Sequence, residues 1–103
     1  MTNEAFQTIL EGRIDAMRKT LASKAKEYAG PTDRLHNFKD AHEIEGVTAA
    51  DACRGMLLKH WVSIRDMVKG VPSTATINEK IGDAINYLVL LEAILKETDA
   101  LPR

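Results

Sequence analysis

The last third of this chain reads as a single helix that is apolar almost all the way round, and few folds can hide such an element. It opens at Thr76-Ile77-Asn78-Glu79, where a hydroxyl and a carboxylate three residues apart can satisfy each other's backbone N–H, and it runs to about residue 97. Ile81, Ala84, Ile85, Leu88, Val89, Leu90, Leu91, Ile94 and Leu95 leave almost no polar face. A helix of that kind belongs at the centre of a bundle or in a subunit interface. The interface is the expectation here, because a chain of 103 residues has little else to wrap it.

The remaining segments are helical too. Phe6, Leu10, Ile14, Met17 and Leu21 recur at helical spacing over residues 3–27, and Gly30-Pro31 ends that run. A short helix is expected over 34–45, with Asp33 as N-cap and Gly46 just past its end. Thr48-Ala49-Ala50-Asp51 is a variant capping box that opens a third helix over 49–69, with Met56, Leu57, His60, Ile64, Met67 and Val68 as its expected inner face. No strand-length alternation occurs. The expected fold is therefore all-α: one four-helix bundle-like domain of three long helices and one short, oligomeric, with 98–103 as a frayed tail.

Composition narrows the partners. Fourteen basic and fifteen acidic side chains give a net charge of −1, so there is no basic face to favour nucleic acid. The longest apolar run, over 84–95, is broken by Asn86 and Glu92 and falls short of a membrane span. A lone cysteine, Cys53, offers neither a disulfide nor zinc-site spacing, and it reads as a small core residue. The start of the chain has no basic stretch leading into an apolar one, so no signal peptide is read and a reducing cytoplasm is expected.

Chemistry is expected where the last two helices meet. Joined by a short loop near Pro72, they should form an antiparallel hairpin, with Asp66 opposite Glu79, Ser63 near Asp83 and Lys59 near Asn86. Asp66, Glu79 and Asp83 would then present three carboxylates, an oxygen donor set suited to Mg²⁺ or Mn²⁺, with Lys59 or His60 holding a phosphate. The same residues also read as interhelical salt bridges along a solvated edge, with Ser63 and Asn86 satisfying the network. His36 and His42 lack a ligand pairing, Asp40-x-x-Glu43 has a spacing common on solvated faces, and Trp61 reads as a packing residue. Tyr28-Ala29-Gly30-Pro31 reads as a helix end, or as a loop offering a stacking ring to a nucleotide.

Taken in order, Lys26-Glu27-Tyr28, Asp33-Arg34-Leu35-His36-Asn37-Phe38, Lys59-His60, Ser63, Asp66-Met67 and Glu79-Lys80-Ile81-Gly82-Asp83-Ala84-Ile85-Asn86-Tyr87 resemble a set of small proteins, many of them phage- or prophage-encoded. These look like distant members of the all-α nucleotide pyrophosphohydrolase superfamily, the MazG-like and dimeric-dUTPase-like group. The resemblance spans roughly residues 24–96 and implies a homodimer or homotetramer that hydrolyses a nucleoside triphosphate to the monophosphate and pyrophosphate with Mg²⁺. It implies metal binding by Glu79 and Asp83, extended by Asn86 and Tyr87. It also implies a nucleotide or its phosphates near Asp33, Arg34, Asn37 and Phe38; on the hydrolase reading, Lys59 and Arg34 hold phosphates and Tyr28, Asn37 or Phe38 recognises the base. The later acidic pair is Glu79-x-x-x-Asp83 here, with Lys80 where an acid often stands. No earlier Glu-x-x-Glu pair is present, Asp40-x-x-Glu43 and Asp66 being the stand-ins. Two other readings start from the same residues: a non-catalytic nucleotide-binding or oligomeric interaction module, and a phage accessory protein that docks on a host protein through its last helix.

Overall fold

A computed structural model describes residues 1–23 and 33–98. Over those residues the chain is all-α, with α1 at Asn3–Ser23, α2 at His36–Glu45, α3 at Ala49–Val68 and α4 at Ile77–Thr98. The expected continuation of the first helix past residue 23, with Tyr28 and Gly30-Pro31, lies outside the described residues.

Local chemistry sets the helix ends. Thr76 Oγ1 accepts from the Glu79 N–H at 3.1 Å while Glu79 Oε2 accepts from the Thr76 N–H at 3.0 Å, the reciprocal box read from the sequence. At α3 the Thr48 hydroxyl accepts from the Asp51 N–H at 3.1 Å, but the shorter Asp51 side chain takes a bond from that hydroxyl instead of reaching the backbone. Gly46, at φ 74°, closes α2 by donating to the His42 carbonyl. The start of α2 differs from expectation. Leu35 is its N-cap, and Asp33 lies two residues upstream, accepting from the Leu35 N–H at 3.0 Å and from Lys39 Nζ at 2.7 Å. Lys39 also reaches Glu97, so α2 is clasped to the far end of α4. The paired ammonium holds the Asp33 carboxyl below its ordinary range, and Lys39 is raised in turn.

α3 and α4 form the expected antiparallel hairpin. His60 stacks on Tyr87 with ring centroids 5.0 Å apart, Cys53 Sγ approaches the Tyr87 carbonyl at 3.5 Å, and Lys80 Nζ donates to the Ser63 carbonyl at 3.4 Å. At one end of the hairpin, Leu35 and Phe38 join Cys53 and Ile94 in the buried core. α1 lies against α4, and none of its side chains is fully buried among the described residues.

Helix rotation about the seam departs from the expected inner face of α3. Leu57 is buried, but Met56 is 44% exposed and Val68 80% exposed, and Trp61, expected in packing, is half exposed. Trp61 follows His60 and Leu88 follows Tyr87. Each is therefore turned about 100° from the stacked pair, and in an antiparallel pair that carries both to the same side of the hairpin. The result is an uncovered apolar side including Trp61, Ile77 and Leu88. Asn86, turned the opposite way from Tyr87, lies on the side that α1 covers.

Burial pushes the Cys53 thiol above its ordinary value. Because the raised value belongs to the folded state, this contribution to stability is complete below the unfolded thiol's pKa and is lost as pH rises through the folded one. Alkylation by iodoacetamide at pH 8 is therefore expected to be slow in the native protein and fast in denaturant. Equal rates would show that Cys53 is not held in the core.

Candidate functional site

The side of α4 that faces α1 carries Asn78, Glu79, Gly82, Asp83 and Asn86, spaced to share one face of a helix. Opposite them on α1 stand Thr8, Ile9, Gly12, Arg13, Ala16 and Thr20, mostly small, so the two helices leave a cleft of about 500 Å³ between them. That volume is within the range of small-molecule sites. Three residues expected to carry chemistry, Glu79, Asp83 and Asn86, line it.

The wider arrangement expected of the hairpin does not form. Lys80 is buried between α3 and α4, and its ammonium donates to the Ser63 carbonyl at 3.4 Å. Asp66 pairs with its neighbour Arg65 at 3.2 Å and does not line the cleft. Glu79 is held by its capping box, and Asp83 lies 3.9 Å from His60 Nδ1. Among the described residues no group of three or more His, Cys, Asp or Glu side chains is gathered as a metal site. What remains is a pair, Glu79 and Asp83, one turn apart on the same wall.

The residues assigned to phosphate and base are dispersed. Lys59 is exposed and absent from the cleft lining. The Arg34 guanidinium donates to the Leu21 carbonyl at 3.3 Å, tying the end of α1 to the start of α2. Asp33 belongs to the Lys39 clasp, Phe38 to the core, and Asn37 is exposed. His60 and Tyr87 are spent on each other in the seam, and Ser63 contributes its carbonyl to Lys80. Tyr28 lies outside the described residues.

Arg13 is the cleft residue that sequence reasoning passes over. Its guanidinium crosses from α1 to α4 and donates to the Asn78 carbonyl at 3.3 Å. It also lies over Gly82, so close that a Cβ there would stand 2.6 Å from a guanidinium nitrogen. The signal in the sequence was faint: a row of Thr8, Gly12, Ala16 and Thr20 beside an arginine, on a helix otherwise read for its apolar stripe.

No family model matches the chain, and neither a curated protein nor a solved structure matches it. No helix among the described residues is long and apolar enough to cross a membrane.

Asn86 Oδ1 is buried with no hydrogen-bond partner among the described residues. An orphaned acceptor of this kind costs on the order of 1–3 kcal/mol. Asn86→Leu, which removes the acceptor at similar volume, is expected to leave the thermal midpoint unchanged or raise it by a few degrees. A marked fall would mean that the amide is satisfied in solution.

Proposed function

We propose that this chain binds a nucleoside phosphate together with Mg²⁺ in the cleft between α1 and α4, and that hydrolysis to the monophosphate and pyrophosphate is its activity. The observation that carries the reading is the cleft itself. A ligand-sized space brings Glu79, Asp83 and Asn86, three of the residues that carry the resemblance, opposite an arginine. Glu79 and Asp83 would hold the metal between them. Bound there, Mg²⁺ would supply charge neutralisation and polarisation of a phosphoryl oxygen. The Glu79 carboxylate is already oriented by the Thr76 N–H, which reduces the entropy lost when it binds. The Asp83 carboxylate, on the same wall, lies 3.9 Å from His60 Nδ1. A cytoplasmic setting, rich in nucleotides and reducing toward the free Cys53 thiol, suits the reading.

The test is calorimetry and pyrophosphate release with a panel of ribo- and deoxyribonucleoside triphosphates, with Mg²⁺ or Mn²⁺. Binding and turnover that Asp83→Ala reduces at least tenfold would support the proposal. Binding without release from a folded sample would reduce the function to a non-catalytic nucleotide module, and no binding of any nucleotide would end the reading.

A second property rests on a separate observation. Trp61, Ile77 and Leu88 are 50%, 67% and 42% exposed on one side of the hairpin, and contiguous exposed apolar surface of that kind commonly marks an interface. We infer that a second copy covers the apolar side that includes Trp61, Ile77 and Leu88, giving a homodimer or a homotetramer built from it. Sedimentation should show a dimer or tetramer at micromolar concentration, and Trp61→Glu should shift it to monomer. A monomeric wild-type chain would overturn this inference without touching the cleft.

A further inference from the structure

We infer that Arg13 is the residue that grips the phosphate, and that Gly82 is present to let it do so. The inference deepens the nucleotide reading and rests on it. Three observations converge on Arg13. First, it is the arginine of the cleft wall, partly buried against α4 and facing the wall that carries Glu79 and Asp83. Second, its one hydrogen bond among the described residues, to the Asn78 carbonyl, uses a single donor of a group that carries about five. Among the described residues it enters no ion pair, although two carboxylates line the same cleft. Third, its guanidinium rests where any residue larger than glycine at position 82 would place its Cβ, 2.6 Å from one nitrogen.

A guanidinium positioned in this way, with donors left over, is suited to phosphate oxygens, which it can meet with two parallel N–H bonds. The charges complement one another. Glu79 and Asp83 attract a divalent cation on one wall, and Arg13 on the other meets the phosphate oxygens that the cation does not bind. Without an anion between them, the cleft holds a cation and two carboxylates that make no contact with it, an arrangement that a bound metal–phosphate unit would complete. Gly82 contributes by absence, because the guanidinium lies across the backbone of α4 where a side chain would push it aside.

The experiment separates the two walls. Binding of Mn²⁺ alone reads the carboxylates. Binding of inorganic pyrophosphate with Mg²⁺, and of the tightest triphosphate of the panel, reads the grip. Arg13→Gln is expected to weaken pyrophosphate and triphosphate about 10- to 100-fold, the usual loss for a charged hydrogen-bonding partner, and to leave Mn²⁺ binding unchanged. Arg13→Lys, which keeps the charge but loses the fork, should recover only part of the loss. Gly82→Ala leaves Arg13 in the sequence but displaces its guanidinium, so it should weaken the same phosphates. It should also keep or raise the thermal midpoint, since alanine suits a helix interior better than glycine. Wild-type binding that survives both Arg13→Gln and Gly82→Ala would overturn the role of Arg13 while sparing the nucleotide reading. A wild-type protein that binds Mn²⁺ but neither pyrophosphate nor any triphosphate would overturn both.

Discussion

Everything else in this molecule depends on how α3 and α4 are rotated against each other, and the stacking of His60 on Tyr87 marks that rotation. With those rings in the seam, Cys53 lies against the Tyr87 carbonyl and Lys80 reaches the Ser63 carbonyl. The hairpin then has two unlike sides. One carries Trp61, Ile77 and Leu88 and remains uncovered, while the other carries Glu79, Gly82, Asp83 and Asn86 and receives α1. A turn of about 100° in either helix, one residue's worth, would carry one side of that helix into the seam and turn its present seam residue outward. The cleft and the apolar side are therefore not independent features of the surface; both follow from one choice of seam.

Lys80 shows how a charged residue can enforce such a choice. It is buried, and its ammonium donates to the Ser63 carbonyl instead of pairing with an acid. Long amphipathic side chains commonly use their methylenes as packing surface while the head finds a polar partner. Asp66 is left to pair with Arg65, and the acids that matter are gathered on α4 alone. The geometry thereby moves the candidate site from between α3 and α4 to between α4 and α1.

The features legible in the sequence were those governed by interactions a few residues long. Both capping boxes, the Gly46 termination and the hairpin itself are set by local spacing, and they form as read apart from the altered partner of Asp51. The turn position even gave the hairpin register to within one helical turn, since His60 and Asp83 meet where Ser63 and Asp83 were expected. Rotation was not legible, because α3 carries competing apolar stripes, and Met56 and Val68 look as core-like in sequence as Leu57 does. Arg13 was hidden for another reason: its partners are 65 and 69 positions away, at Asn78 and Gly82, and no short motif joins them. The nucleotide roles given to Phe38 and Arg34 met a similar obstacle, as their surroundings are set by the docking of α2 on the end of the hairpin.

One wall of the cleft is held far more lightly than the other. α4 is fixed by the seam, the core and the Lys39 clasp, whereas α1 has no fully buried side chain among the described residues, where bonds from Arg13 and Arg34 help to tie it down. Elements with few buried contacts open at lower free energy than the domain as a whole. If α1 opens before the hairpin does, the cleft would widen while the rest of the core stays packed. The coupling also runs in reverse. Whatever bridges the two walls must favour the docked position of α1 by the difference in its affinity for the closed and open cleft. Occupancy would thus be transmitted to the far end of that helix, where Arg34 joins it to α2, making α1 a lever by which the contents of the cleft are felt elsewhere in the chain.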